Sequence, residues 1–220
     1  MKTNEELQKN VQDAIKWEPL LHAAEIGVTI KEGVVTLTGT VNNYAKKLEA
    51  ENATKNVVGV KVVIEKIIIS FGSLTKTTDN DIATAVINAI KWNWRIPNDI
   101  IKVKVEDGWI TLEGEVSWNF QRESVKNTLT DLVGVKGVLN NITIISENQS
   151  CVEKESIENA LLRSLLIDNE KIAVKVYDNK VTLYGSVNSI FEKEEAERIA
   201  WKTPGIWALD NNLVIEYSEN

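Results

Sequence analysis

One phrase occurs three times in this chain. Gly33-Val34-Val35-Thr36-Leu37-Thr38-Gly39-Thr40-Val41 returns as Gly108-Trp109-Ile110-Thr111-Leu112-Glu113-Gly114-Glu115-Val116, and again as Asn179-Lys180-Val181-Thr182-Leu183-Tyr184-Gly185-Ser186-Val187. A chain of 220 residues written this way is a row of small units rather than one large domain. The offsets are regular. Gly33, Gly39 and Gly59 recur as Gly108, Gly114 and Gly134, and Gly185 and Gly205 follow in the third copy. Asn179 takes the first glycine's place there, and Asn is the residue other than Gly that most readily accepts positive φ.

Around the phrase, the apolar residues fix the other elements of each copy. Leu7, Val11 and Ile15 match Ile82, Val86 and Ile90, then Ile157, Leu161 and Leu165, with the i, i+4, i+8 spacing of a helix face. Alternation follows at Ile26, Val28, Ile30; at Ile101, Val103, Val105; and at Ile172, Val174, Val176, which predicts a strand with one buried face. The repeated phrase is the second strand of a hairpin, with buried positions Val35 and Leu37, Ile110 and Leu112, Val181 and Leu183. A second helix runs through Ala50, Ala53, Thr54, Val57 and their counterparts Val125, Thr128, Leu129, Leu132 and Ala196, Ile199, Ala200, Thr203. It is expected to stop at a left-handed cap on Gly59, Gly134 or Gly205. A third strand follows, with Val63, Ile67, Ile69 and their counterparts Val138, Ile142, Ile144 and Leu209, Leu213, Ile215. The expected fold is α+β: three tandem αββαβ modules over residues 1–72, 76–147 and 150–218, each a three-stranded sheet covered on one face by two helices. The linkers near Phe71–Lys76 and Ser146–Ser150 are short, and a unit of about 70 residues buries only about 60% of its surface, so packing between copies is expected.

The G-x-V/I-T-L-x-G-x-V strand and the segment Val133-Gly134-Val135-Lys136-Gly137-Val138-Leu139-Asn140 resemble the BON domain, a small αββαβ module found in bacterial osmotically inducible and nodulation-type proteins. The resemblance covers nearly the whole chain. The first copy departs from it with Glu65 where Asn140 and Asn211 stand, and the third with Asn179 and Pro204. The resemblance implies a non-enzymatic, stress-related binding module for phospholipid surfaces or membrane-associated proteins. It also admits a potassium-responsive protein, because BON modules occur in those.

Catalytic chemistry has little to stand on. There is no G-x-S-x-G, H-E-x-x-H, phosphate loop or dinucleotide fingerprint, and the single His22 and Cys151 cannot make a zinc site or an internal disulfide. Glu106-Asp107 and Glu194-Glu195 are adjacent carboxylates that point apart on a turn or helix, and no segment has the alternating oxygen ligands of a calcium loop. No cofactor and no metal is expected. The N-terminus has no signal-like apolar run and no stretch approaches the roughly 20 residues of a membrane span. That leads to the expectation of a cytoplasmic protein, or a periplasmic one if the chain is a processed form.

Charge bears on partners. The net charge is −7, and it falls mostly on the third copy: nine Lys oppose nine acids in residues 1–75, eight basic oppose ten acidic in 76–147, and eight oppose thirteen in 148–220. An acidic chain without a basic stripe is a poor nucleic-acid binder and a poor electrostatic ligand of anionic lipid.

Seven Trp remain to be explained. Trp109 matches Val34 and Lys180 on the outward strand face, and Trp118 matches Asn43 and Ser189. Trp92 and Trp94 lie at the end of the second copy's first helix and in the loop that follows. These rings either fill grooves between copies, the reading the sequence favours, or form an aromatic patch for a bilayer interface or protein partner. On the second reading the contact residues are Trp92, Trp94, Trp109 and Trp118 with Lys102 and Lys104 beside Trp109. Trp17 reads as a packing residue shared by the repeats, and Trp201 and Trp207 as local packing. A scaffold whose sheet faces or edges accept a polypeptide is the alternative role.

Overall fold

The computed structural model describes residues 3–21, 25–72, 77–96, 100–145, 152–164 and 171–216. His22, Cys151, Leu165 and most of both linkers lie outside them. The elements are α1 (Asn4–Trp17), β1 (Ile26–Lys31), β2 (Val34–Val41), α2 (Tyr44–Lys55) and β3 (Val62–Ile69); then α3 (Asp79–Trp92), β4 (Lys102–Glu106), β5 (Trp109–Val116), α4 (Asn119–Leu129) and β6 (Gly137–Ile144); then α5 (Lys154–Leu162), β7 (Ile172–Tyr177), β8 (Lys180–Val187), α6 (Ile190–Ala200) and β9 (Ala208–Ile215). This is αββαβ three times. The described residues fall into two compact units, one of 1–39, 48–67 and 148–220 and the other of 40–47 and 68–147.

Each module is a three-stranded sheet with the repeated phrase in the centre, in the orders β1-β2-β3, β4-β5-β6 and β7-β8-β9. The first two strands of each pair antiparallel, and the third lies parallel to the centre in modules two and three. The period-two pattern decides which face is covered. Val35, Leu37, Ile110, Leu112, Val181 and Leu183 are fully buried, as the alternation predicts, against the helix faces led by Leu7, Val11 and Ile15 and by their counterparts Ile82, Val86, Ile157 and Leu161. In module three the core also takes Val152, Val174, Val187, Ala196, Ala200 and Leu213, with Trp201 packed against its margin.

The hairpins turn through two residues that both have positive φ: 53° and 81° at Glu32 and Gly33, 51° and 80° at Asp107 and Gly108, 47° and 62° at Asp178 and Asn179. That is the I′ geometry whose twist suits a hairpin, and it explains why Asn is accepted at position 179. A side chain ties each turn to the first helix. Asp79 accepts the N–H groups of Asp107 (2.8 Å) and Gly108 (2.9 Å), and Asn4 accepts that of Glu32 (3.2 Å). Module three has Lys154 at that helix position, and the bond is reversed: Asn179 Oδ1 accepts the N–H of Val152 at 2.9 Å.

The second helices end sooner than the glycines suggested. They stop at Lys55, Leu129 and Ala200, while Gly59, Gly134 and Gly205, all at positive φ, shape the turn four or five residues further on. The reason is packing: a Cβ on Gly59 would press on Leu7 Cδ1, and one on Gly134 on Ile82 Cδ1, so the glycines let the first helix's apolar face come down on the turn. Asn140 and Asn211 join the second helix to the third strand, each donating to a helix carbonyl, Arg122 at 3.1 Å and Lys193 at 2.8 Å, while accepting the N–H of Ile142 or Leu213. Glu65, the first copy's departure, accepts the N–H of Ile67 in the same way.

In module one the Glu49 carboxyl is held above its ordinary range, first by burial and then by the charge and hydrogen bond of Glu18. A carboxyl bound more tightly to its proton when folded adds stability as pH falls, and its ionised form is a penalty above the raised pKa. Glu49→Gln is therefore expected to raise the melting temperature slightly at pH 7, with the gain shrinking through the acid range. A melting series between pH 4 and 8 reads this directly, and a loss of stability at pH 7 would contradict it.

Candidate functional site

The outward face of module two holds the residues that the sequence marked for contact. Strand register places Glu106 opposite Trp109, Lys104 opposite Thr111 and Lys102 opposite Glu113, so Lys104 is the diagonal neighbour of Trp109 on one face. Its ammonium lies 2.9 Å from Glu106. The face therefore balances cations with carboxylates. Trp109 is 53% exposed, and its ring lies over the backbone of Gly137, its partner on β6, where any Cβ would overlap the indole. Half of the ring thus works as a lid on a bare strand.

Trp118 is the N-cap of α4, half-buried, with its ring centroid 6.5 Å from that of Phe120 and its backbone N–H held by Gln121 Oε1 at 3.1 Å. Trp109 opens β5 and Trp118 lies two residues past its end, and the strand alone spans about 23 Å at the usual rise. Trp109 and Trp118 are consequently two places, each with a packing partner.

The helix ends are different. Trp17 closes α1 and is 87% exposed; Trp92 closes α3 and is 86% exposed; Trp94, in the turn after it, is 85% exposed with the Arg95 guanidinium 5.4 Å above its ring. Neither Trp17 nor Trp92 therefore belongs to the core of its own module. Leu20 is exposed just after Trp17. The signal for this pair was present in the chain, since Ala14-Ile15-Lys16-Trp17 returns unchanged as Ala89-Ile90-Lys91-Trp92. The two helix faces spend Ile15 and Ile90 inward, and one helical step of about 100° per residue carries the next-but-one residue away from the core. Trp201 packs against the module-three core, whereas Trp207 is 48% exposed and is held by its Nε1–H, which donates to the Asp178 carbonyl at 2.7 Å.

Residues overlooked by pattern alone lie on the third strand of module one, where Val62, Ile64 and Ile68 stand exposed on the uncovered face. Their run Val62-Val63-Ile64 obscured the alternation. Among the described residues there is no group of three or more His, Cys, Asp or Glu side chains able to hold a metal ion, and no helix is long and apolar enough to cross a membrane.

The BON domain family model matches three times, over residues 3–70, 78–146 and 154–217. The chain belongs to the BON domain family. Among characterised proteins this BON chain is similar to the osmotically-inducible protein Y of Escherichia coli K12, 29% identical over 126 residues, which span 56% of this chain and 63% of that protein. Among solved structures it is similar to CdsD, a structural protein of the type III secretion system of Chlamydia trachomatis, at 16% identity and a TM-score of 0.27 over 96% of this chain and 92% of that one. The C-terminal domain of CdsD gives 0.26 at the same identity, over 98% and 100%. In these BON modules the glycines at 33, 39, 59, 108, 114, 134, 185 and 205 all take positive φ, so they belong to the scaffold.

Proposed function

We propose that this chain is a non-enzymatic BON-type binding protein that attaches to phospholipid surfaces through the indoles at its first-helix ends. The observation that carries the reading is the exposure of Trp17, Trp92 and Trp94, three large rings that contribute almost nothing to either core. An indole with an apolar body and a polar N–H is favoured at the headgroup level of a bilayer, and Lys16, Lys91 and Arg95 beside the rings suit the same depth. Similarity to an osmotically-inducible protein supports a place in the response to osmotic stress. With a net charge of −7 the attachment rests on ring insertion, so it is expected on zwitterionic vesicles as well as anionic ones.

Vesicle flotation tests this. Wild type is expected to float with phosphatidylcholine vesicles and to show blue-shifted emission, and each Trp→Ala change at 17, 92 or 94 is expected to weaken partitioning about tenfold. A Trp17→Ala/Trp92→Ala/Trp94→Ala chain that floats as well as wild type would sink the reading.

A second reading is favoured by Val62, Ile64 and Ile68, an uncovered apolar strip on a sheet that could take a partner polypeptide. Under it, an envelope protein is retained in pull-downs without lipid, and Ile64→Lys/Ile68→Lys abolishes retention while the three indole changes do not.

A further inference from the structure

Module three, the most acidic third of the chain, contains a groove lined by cations. It lies between α5 and α6, encloses about 500 Å³, and is bordered by Ser156, Arg163, Ser164, Arg198, Lys202 and Thr203, with Ala160, Ile199 and Pro204 as its apolar part. Glu195 supplies the one carboxylate. That carboxylate is buried and already committed: it accepts from Arg198 Nε at 2.6 Å and from Nη2. One edge of the guanidinium is used in this way. The other edge, Nη1 with the second hydrogen of Nη2, keeps its donors on a side chain that is 56% exposed. Glu195 also favours the charged form of Arg198, whose pKa is raised by that hydrogen bond. Among the described residues neither Arg163 nor Lys202 is engaged in an ion pair.

The sister modules serve as an internal control. The positions of Arg163, Arg198 and Lys202 are occupied by Asn88, Asn127 and Asp131 in module two and by Asp13, Asn52 and Asn56 in module one. The scaffold therefore folds without these cations. Favourable interaction of Arg163 and Lys202 with helix C-termini is a small effect that the sisters forgo, and each sister places an acid at one of the two positions, Asp13 in module one and Asp131 in module two.

We propose that the α5–α6 groove binds a phosphomonoester group. Three cations and three hydroxyls match a dianion with three acceptor oxygens; guanidiniums grip such a group in two-pronged fashion and an ammonium adds a point charge. The groove's volume admits a small organic phosphate whose remaining part rests on Ala160, Ile199 and Pro204. The same chemistry is offered by a soluble metabolite or by the headgroup of a phosphatidic-acid-like lipid. None of the exposed indoles takes part, so the groove and the indole reading stand or fall separately.

The test is titration calorimetry on the full chain with glycerol 1-phosphate, and with phosphatidylcholine vesicles with and without phosphatidic acid. The comparison is Arg163→Asn/Lys202→Asp, which installs the module-two residues and is expected to leave the melting temperature unchanged. Saturable binding of glycerol 1-phosphate, weakened about tenfold or more in the variant, supports the site with a soluble ligand. The same loss seen only with phosphatidic-acid vesicles supports it with a lipid source. Binding of neither probe by wild type, or equal binding by the variant, overturns the proposal. Glu195→Ser/Arg198→Asn, which recreates the Ser124 and Asn127 pair, provides an independent variant should the first prove unstable.

Discussion

Gly185→Ala is expected to unfold the third module at temperatures where the wild-type chain is intact. Gly185 lies in the central strand at a φ of 119°, and a Cβ there would overlap the carbonyl oxygen of Lys171, a backbone atom that cannot swing aside. The loss combines a disfavoured backbone region with a main-chain clash, about 3 kcal/mol or more. A module of this size holds only about 3–10 kcal/mol in total. Hydrogen exchange of the β7–β9 amides would report the loss, with the emission of Trp201 and Trp207 as a second reporter. Full protection in the variant would mean that residue 171 is displaced more easily than its sheet position allows. Gly39 and Gly114 face Glu25 and Ile100 in the same way and are expected to behave alike.

The second large effect removes atoms. Leu112 is fully buried in the middle strand of module two, between Val103 on one side and Asn140 on the other. Leu112→Ala is expected to cost about 2–5 kcal/mol in lost burial and residual cavity. Thermal melting should then resolve an early transition that belongs to module two, followed through the protection of β4–β6. A single unshifted transition would show that the module's core collapses around the gap.

Much of this architecture was legible before any coordinates because its signals are local. A two-residue turn that requires positive φ at both positions leaves few residue choices, so Glu32-Gly33, Asp107-Gly108 and Asp178-Asn179 announce themselves, and the alternation Val35, Leu37, Val41 places the sheet. The ends of the second helices were less legible. Gly59, Gly134 and Gly205 do adopt positive φ, but at Gly59 and Gly134 a further demand comes from the first helix pressing on them, a contact about 50 residues away in sequence. The exposure of the helix-end indoles was illegible for a related reason: periodicity places Ile15 and Ile90 inward but does not say how far the chain continues beyond the last packed turn. The groove of module three could not be seen at all, because Arg163 and Lys202 come from different helices and a net of five excess acids conceals a local excess of cations.

The tethers between first helices and hairpins have one more consequence. In modules one and two the acceptor sits on the helix, at Asn4 and Asp79; in module three it sits on the hairpin, at Asn179. A chain with three near-identical sandwiches risks trading helices between them while it folds. If α5 settled on the second hairpin, Lys154 would stand where Asp79 accepts two N–H groups, and Gly108 would offer Val152 no side-chain acceptor in place of Asn179. Plug and socket are thus cut differently for the last copy, and a second hairpin that took α5 would lose the tethers on both sides, whereas the first two copies remain interchangeable at this joint.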